Sequence, residues 1–366
     1  MNILQVTSHL NAGGITSHVL ALSRALADRG HRVVIASGGG QLERATHHPK
    51  IEHWAAPLAT SADFSPRVFA AANALAQRAL PEALDIVHGH TRVGQVVADR
   101  IGRRLGVPMV ATWHGFFRPN LGRRLWPCTG ELTVAISEPV RQHLMLDFRV
   151  PEDRIRLIPH GIDPAPFQPG ETPAAQGLRE TLRVPSDAVV IGTIARLVPS
   201  KGIDLLIRSL PIVRQSAPTA RLLLVGDGEA RGSLEALAQS LGVGDAVHFA
   251  GMLQETVAAL ALMRVFVFIP AHQEGFGLSL LEAMAAGRPI VAVRRGKGAA
   301  WVLEQGAAGQ LVEPEDPAAL AGAIVRYLHD AGAAADAGAR ARNMVNERFS
   351  LDRMAAAVQA VYEELA

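Results

Sequence analysis

The chain has 366 residues, of which 49% are hydrophobic and 19% are charged. This composition excludes an intrinsically disordered protein, and the length exceeds what one ordinary core supports, so we expect two globular domains. No stretch offers the roughly 18 apolar residues of a membrane-spanning helix, and the N-terminus lacks the basic flank and apolar run of a signal peptide. The single Cys128 excludes an internal disulfide. These features predict a cytoplasmic protein.

The net charge of +2 is unevenly distributed along the chain. Residues 1–165 contain 18 Lys and Arg against 13 Asp and Glu, whereas residues 166–366 contain 18 against 21. The basic first half could face an anionic acceptor or a membrane surface, or could be a solvated basic face. Aromatic residues make up 5% of the chain and form no basic–aromatic array, so we expect no nucleic-acid partner.

In the first half, short apolar runs alternate with helical patterns, as in α/β proteins with parallel sheets. The chain begins with a predicted strand "NILQVTS", a loop "HLNAGG" and a helix "ITSHVLALSRALADRGH" that ends near Gly30, a C-cap signal. Further strands are predicted at "RVVIAS", "LDIVHGH", "PMVATWHG" and "LTVAIS".

A second series begins near Val189 with the strands "VVIGTIA", "ARLLLVGDG", "AVHFAG", "VFVFIPA" and "PIVAV". Helices are predicted over Gly202–Arg214 and Glu229–Leu241, and a last amphipathic helix over "LDRMAAAVQAVYEEL". The segment "IPHGIDPAPFQPGETPAAQG" is rich in Pro and Gly, which indicates the interdomain linker. We therefore predict two doubly wound parallel sheets in tandem, over residues 1–165 and 166–343, and a terminal helix over residues 344–366.

A glycine pair, Gly13 and Gly14 in "NAGG", follows the first strand. Glycines let the backbone approach a ligand and a helix N-terminus favours an anion, although a plain tight turn explains the pair equally well. The pattern is not G-x-G-x-x-G. The second strand also ends without the acidic residue that binds the ribose of NAD, so a nicotinamide dehydrogenase is disfavoured.

Two cations flank the start of a helix in "GTIARLVPSKGIDLLI". Arg196 follows a predicted strand and Lys201 precedes the next helix, so both side chains should project from the carboxyl edge of the second sheet. Two cations beside a helix N-terminus suit a dianion such as a diphosphate.

A glycine-broken turn in "AHQEGFGLSLLEAMAAG" lies between two glutamates, Glu274 and Glu282. Backbone N–H groups from Gly275 to Ser279 should be able to donate to phosphate and sugar oxygens. A carboxylate at Glu282 suits the vicinal hydroxyls of a ribose, because it would repel phosphate. Glu274 can accept hydrogen bonds from sugar hydroxyls. Acidic residues near a helix start also favour the helix dipole, which accounts for one glutamate but not for both.

Taken together, these stretches resemble the family 4 retaining glycosyltransferases of GT-B fold. The resemblance covers nearly the whole chain and rests on "GGITSHVL", "ARLVPSKG", "VGDGE" and the Glu274–Glu282 spacing followed by "AMAAGRPIVA". It implies two Rossmann-like domains that face a central cleft, with the terminal helix crossing back to the N-terminal domain. Similar chains are often associated with bacterial envelope glycans such as lipopolysaccharide.

The resemblance also implies roles for individual residues in binding a UDP-, GDP- or ADP-sugar. The diphosphate would be held by Arg196 and Lys201 and approached by the Gly13–Gly14 loop, and the ribose by Glu282. The transferred sugar would contact Glu274 and the amides of Gly275, Phe276, Gly277 and Leu278. His114, in "ATWHGFF", matches a histidine that lines the reaction centre.

The expected mechanism follows from charge. The leaving nucleoside diphosphate gains negative charge, which the fixed cations and the helix N-terminus stabilise. We therefore expect no metal and no cofactor other than the donor, and the chain lacks an obvious D-x-D site. The resemblance implies retention of anomeric configuration, with the leaving phosphate taking the acceptor proton.

The chain departs from the family pattern at Pro159-His160-Gly161, where "PNG" is usual. We interpret His160 as structural, since it lies at the linker. The histidines in "THH" at residues 46–48 and "HGH" at residues 88–90 have no carboxylate or cysteine at ligand spacing, so the sequence predicts no zinc site.

Basic and aromatic residues follow His114 in "WHGFFRPNLGRRLWPCTG". Arg118, Arg123 and Arg124 could bind a phosphorylated or lipid-linked glycan acceptor at the inner membrane, or could be solvated surface arginines.

Two other functions remain open. Sugar-nucleotide 2-epimerases share the twin-sheet fold, and epimer formation from the donor alone would reveal one. A non-catalytic nucleotide-sugar binder would keep the fold but lack transfer. The sequence leaves the base, the sugar, the acceptor and the oligomeric state undetermined.

Overall fold

The chain forms two units in the computed structural model, which describes residues 1–167, 170, 172–270 and 272–366. The first unit comprises Met1–Gly161 and Ser350–Ala366, and the second comprises Ile162–Phe349. The chain thus leaves the first unit after Gly161, whereas the boundary predicted from the sequence follows residue 165. It returns to the first unit at Ser350. Three residues of the predicted linker and the last residue of a predicted strand lie outside the described residues, namely Gln168, Pro169, Glu171 and Ala271.

A seven-stranded parallel sheet forms the centre of the first unit within the described residues. Its strands are β1 (Asn2–Val6), β2 (Arg32–Ser37), β3 (Ile51–Ala55), β4 (Ile86–Gly89), β5 (Met109–Trp113), β6 (Leu132–Ala135) and β7 (Ile155–Leu157). They pair in the order β3-β2-β1-β4-β5-β6-β7. The helices are α1 (Gly14–Asp28), α2 (Pro66–Ala79), α3 (Arg92–Leu105), α4 (Leu121–Leu125) and α5 (Glu138–Phe148).

A six-stranded parallel sheet forms the centre of the second unit, again counted over the described residues. Its strands are β8 (Val189–Ile194), β9 (Ala220–Val225), β10 (Val247–Gly251), β11 (Val265–Phe268), β12 (Ile290–Val293) and β13 (Gln310–Val312). They pair in the order β10-β9-β8-β11-β12-β13. The helices are α6 (Pro173–Thr181), α7 (Ile203–Ser216), α8 (Arg231–Ser240), α9 (Val257–Leu262), α10 (Leu278–Ala285), α11 (Gly298–Val302), α12 (Pro317–His329) and α13 (Ala331–Arg348).

The inner strands are continuous apolar runs because helices cover both faces of a parallel sheet. Ile3 and Leu4, which point to opposite faces of β1, are both fully buried. The two sheets confirm the predicted α/β fold with two Rossmann-like domains. Strands β3, β7 and β13 were not predicted, because they lie at sheet edges and are short or partly exposed, which makes their apolar pattern weak.

The last helix, α14 (Leu351–Glu363), packs against α1 in the first unit. Its buried face includes Met354, Val358 and Tyr362. The Tyr362 hydroxyl accepts a hydrogen bond of 3.1 Å from Nε2 of Gln5 on β1, which fixes the helix to the sheet. No helix among the described residues combines the length and the apolar character needed to cross a bilayer.

Two helical glycines in the second unit provide a matched test of close packing. A Cβ atom on Gly338 in α13 would lie 2.1 Å from the carbonyl oxygen of Gly287, whereas one on Gly322 in α12 would meet nothing within 4 Å. We expect Gly338→Ala to lower the free energy of unfolding by about 1–3 kcal/mol, because the helix must shift. Gly322→Ala should raise it by up to about 1 kcal/mol. Urea unfolding measures both, and equal tolerance of the two variants would contradict this packing.

Candidate active site

An ion pair between Lys201 and Glu274 occupies the carboxyl edge of the second sheet. The Lys201 Nζ atom donates to both carboxylate oxygens of Glu274, at 2.9 and 2.7 Å. Strands β8 and β11 are neighbours, so the loops that follow them carry these two side chains to the same place. The side chains are 24% and 26% exposed, which keeps the pair within reach of a ligand. Both residues were predicted as site residues from the sequence, but their contact was not.

Arg196 follows β8 and is exposed. It has no ion pair with any other residue in the described part of the chain. Its guanidinium therefore remains available to an anion at the edge of the sheet where Lys201 also lies.

The turn between Glu274 and α10 is held by close backbone packing. Gly277 has a φ of 101°, and a Cβ atom there would lie 2.6 Å from the ring of Phe268, so only glycine fits. Gly277 is also the N-cap of α10 and has no side chain to cap the helix. The N–H groups of the first turn, at Leu278 and Ser279, are thus placed where a helix binds anions.

Two contacts that were not predicted from the sequence fix the turn from outside. The Phe276 ring packs against Trp301 and Phe349, with centroid distances of 6.2 and 5.6 Å. A Cβ atom on Gly298, at the start of α11, would lie 2.0 Å from the carbonyl oxygen of Glu274. The sequence shows a glycine at position 298 after a strand, but it does not show that this glycine packs on the Glu274 carbonyl.

Glu282 lies in α10, partly buried, and accepts a hydrogen bond of 3.0 Å from Oγ1 of Thr256. Burial raises the pKa of Glu282 to about 7, although the hydrogen bond from Thr256 opposes this shift. The ionised carboxylate therefore has too few hydrogen-bond donors in the free protein. A ligand could supply the missing donors.

A titration of stability tests the buried state of Glu282. Because the pKa of Glu282 is about 7 in the folded chain and 4.5 for an ordinary glutamate, the folded chain keeps this proton between pH 4.5 and pH 7 while the unfolded chain has lost it. Stability should fall as the pH rises from about 4.5 to about 7 and stay level above that range. We expect Glu282→Gln to be more stable than the unsubstituted chain at pH 8, by roughly 1–3 kcal/mol, with the gap closing near pH 4.5. Thermal unfolding across this range is the measurement.

Glu229→Gln is the matched control, since Glu229 is exposed. It should leave the pH profile unchanged. A profile for Glu282→Gln that ran parallel to that of the unsubstituted chain would show that Glu282 is ionised and well solvated in the folded protein.

Gly13 and Gly14 lie in the first unit, where α1 begins at Gly14 and Gly13 is its N-cap. A Cβ atom on Gly13 would meet nothing within 4 Å, so the loop is open on that side. The first turn of α1 contains no acidic residue and no side chain of the described residues caps it. The N-terminus of α1 can therefore accept an anion.

His114 belongs to a group of four neighbouring imidazoles in the first unit, which we call the histidine cluster: His18, His90, His114 and His160. The His114 ring stacks on His160 with centroids 5.2 Å apart, and its Nε2 atom lies 3.2 Å from Nδ1 of His90. His18 contributes Nδ1 at 2.8 Å from Nδ1 of His160. The linker histidine His160 is thus in direct contact with the candidate catalytic histidine, which its position in the sequence did not reveal.

Burial keeps the histidine cluster uncharged at neutral pH. It lowers the pKa of His18 to about 3 and the pKa values of the other three rings well below 6.5. The neighbouring imidazoles add a smaller effect of the same sign on those three rings, because two cations so close together would repel. The cluster therefore offers neutral nitrogen lone pairs and N–H donors, not positive charge.

The three arginines after His114 differ in their surroundings. Arg118 and Arg124 are exposed, whereas Arg123 donates from Nε to Asp63 at 3.3 Å and lies over the Phe117 ring. Asp63 also accepts from Arg92 at 3.2 Å, so it is already shared by two guanidinium groups. Arg118 and Arg124 are the better candidates for contact with an anionic ligand.

Comparison with known proteins gives two adjacent family matches. Residues 12–166 match the family model described as Glycosyltransferase Family 4, and residues 176–344 match the one described as Glycosyl transferases group 1. The chain is 34% identical over 316 residues to a D-inositol 3-phosphate glycosyltransferase of Acidothermus cellulolyticus, covering 78% of this chain and 68% of the relative. It is 29% identical to the MMP alpha-(1->4)-mannosyltransferase of Mycolicibacterium hassiacum, over 99% and 97% of the two chains.

Solved structures resemble the whole chain. Anabaena Alr3699/HepE in complex with UDP-glucose is 22% identical, covers 100% of both chains and has a TM-score of 0.85. At this identity the likeness shows the fold, and it confirms the GT-B class that the motifs indicated.

Proposed function

The chain belongs to the family 4 glycosyltransferases, and on that premise we propose that it transfers a sugar from a nucleoside diphosphate to a hydroxyl acceptor with retention of anomeric configuration. The observation that carries this proposal is the Lys201–Glu274 pair at the edge of the second sheet, beside the uncapped N-terminus of α10.

The pair gives each residue a distinct task. A lysine ammonium has three N–H groups, and Glu274 accepts two of them, so one remains for a phosphate oxygen. The same bonds hold the Glu274 carboxylate in one orientation, with its remaining lone pairs available to sugar hydroxyls. Lys201 thus stabilises the leaving diphosphate while it positions the group that binds the sugar.

Arg196 and the first-turn amides of Leu278 and Ser279 add further donors to the same anion. These groups are fixed before the reaction, so they stabilise the charge that develops on the leaving group without reorganising. Donors of this kind supply the electrostatic role that a metal has in other transferases, and we propose transfer without a metal ion.

Glu282 suits the ribose of the donor. A buried carboxylate with one donor, Thr256, is stabilised when two ribose hydroxyls donate to it. Donor binding should therefore favour the ionised form of Glu282.

For the acceptor we propose a glycan or lipid-linked glycan of the cell envelope that carries an anionic group. The exposed Arg118 and Arg124, in the segment after His114, support an anionic acceptor. The relative named as a D-inositol 3-phosphate glycosyltransferase supports a phosphorylated polyol as the alternative. Transfer to a lipid-linked glycan or to inositol 3-phosphate, assayed side by side, separates the two.

The donor class is tested by thermal shift with UDP-glucose, GDP-mannose and ADP-glucose, each compared with its free nucleoside diphosphate. One nucleotide series should raise the melting temperature by mass action, and the sugar should add to the shift. The absence of a shift with all six compounds would contradict a site for these donors. Formation of an epimer from the donor alone would identify an isomerase instead.

Substitutions within the ion pair should separate diphosphate binding from sugar binding. Lys201→Met should weaken both the nucleotide sugar and the free diphosphate by roughly 10–100-fold, because a charge-assisted hydrogen bond is lost. Glu274→Gln should weaken only the nucleotide sugar, since it releases Lys201 for the phosphate. Calorimetric titration of the responsive donor and its diphosphate measures both effects.

Arg214→Met with Asp245→Asn is the matched control. These residues form a 3.8 Å ion pair at the end of α7 and just before β10, at the opposite edge of the sheet. The control should leave both affinities unchanged. If Lys201→Met and Glu274→Gln had the same effect on the free diphosphate, the division of tasks would be wrong.

A further inference from the structure

The histidine cluster is assembled from four separate segments of the first unit. His18 lies within α1, His90 and His114 directly follow β4 and β5, and His160 follows β7. One ring nitrogen each from His18, His90 and His114 lies within 4.8 Å of the others. The resemblance to family 4 glycosyltransferases assigns His114 to the reaction centre and leaves the rest of this arrangement unexplained.

The hydrogen bonds fix the proton on each ring, beginning at Gln5. Nε2 of Gln5 donates to the Tyr362 hydroxyl, so Oε1 of the same amide must accept from Nε2 of His90. A neutral His90 then has a bare Nδ1, which accepts from Nε2 of His114 at 3.2 Å.

The remaining rings donate and accept in the same direction. Nδ1 of His114 accepts from Nε2 of His160 at 3.5 Å, and Nδ1 of His160 accepts from Nδ1 of His18 at 2.8 Å. His18 is left with an unprotonated Nε2, which is buried and has no hydrogen-bond partner among the described residues. A buried lone pair without a donor is costly unless something binds it.

We propose that His18, His90 and His114 bind one divalent transition-metal ion, of the class of Zn²⁺, Co²⁺ or Ni²⁺. Neutral imidazoles are ligands of such ions, whereas Mg²⁺ and Ca²⁺ require oxygen ligands that this group does not offer. Zinc–nitrogen bonds of about 2.0–2.1 Å need ring nitrogens closer together than 4.8 Å, so the rings move inward on binding. His114 is only partly buried, which leaves the ion a path of entry.

The neighbours of these ligands form an outer layer of hydrogen bonds. Oε1 of Gln5 accepts from the far nitrogen of His90, and Nδ1 of His160 accepts from the far nitrogen of His18. Such partners fix the ring orientation and the tautomer of a metal ligand. His114 must move its proton from Nε2 to Nδ1 to bind through Nε2, which breaks its contact of 3.5 Å with His160, the longest in the chain of rings.

The test is a titration of tag-free protein, stripped of metal with a chelator, with Co²⁺. We expect one Co²⁺ per chain, with the strong visible absorption of a four- or five-coordinate ion, displaced by Zn²⁺ and unaffected by excess Mg²⁺. His18→Ala should weaken binding at least about 100-fold, and Gln5→Leu about 10–100-fold through the outer layer. His47→Ala is the control, because His47 is exposed and should not alter binding.

A measurement without substitutions covers the case in which His18→Ala fails to fold. Two-bond ¹H–¹⁵N correlations of the unsubstituted chain report the tautomer of each of its 14 histidines. One equivalent of Zn²⁺ should shift three of these rings strongly. The proposal is overturned if the unsubstituted chain binds no Co²⁺ in a 1:1 ratio, if folded His18→Ala binds as tightly as that chain, or if Zn²⁺ shifts only exposed histidines. Because the readout is ion binding, these outcomes are independent of glycosyl transfer.

Discussion

Parallel strand pairing is the constraint on which the candidate site depends. In each sheet every strand points the same way, so all carboxyl ends lie along one edge and the loops that follow them are neighbours. Lys201 follows β8 and Glu274 follows β11, and adjacency of these two strands brings side chains 73 positions apart into contact. The same rule places His90 and His114 together after β4 and β5 in the first unit.

The electrostatics of the second unit follow from this convergence. Lys201 and Glu274 neutralise each other at the edge of the sheet, so their partial burial does not leave an isolated charge. Glu282 is different, since Thr256 is its one hydrogen-bond donor among the described residues and burial raises its pKa. Hydroxyl donors from a ligand therefore lower the free energy of a poorly solvated carboxylate more than that of a carboxylate that water already solvates.

In the first unit, by contrast, the buried polar side chains beside the sheet include uncharged imidazoles. The histidine cluster is buried beside the sheet, where charged imidazoles would be expensive, and its rings satisfy one another through alternating donors and acceptors. Gln5 and Tyr362 set the direction of this alternation, which links α14 to the candidate reaction centre in the same unit. His160 contributes one ring nitrogen that donates to His114 and one that accepts from His18.

The sequence by itself determined the fold class and the identity of most candidate residues. Apolar runs of strand length, separated by helical patterns, are local signals, and so are the glycines around Glu274 and the motif spacing that indicated the family. Edge strands such as β7 were not predicted, because a strand of three residues with only Ile155 buried carries little apolar pattern. Only the tertiary structure decided which residues touch: the pairing of Lys201 with Glu274, the packing of Gly298 on the Glu274 carbonyl, and the meeting of His160 with His114. Spacing along the chain does not encode these contacts, because strand order in the sheet, not order in the sequence, decides which loops are neighbours.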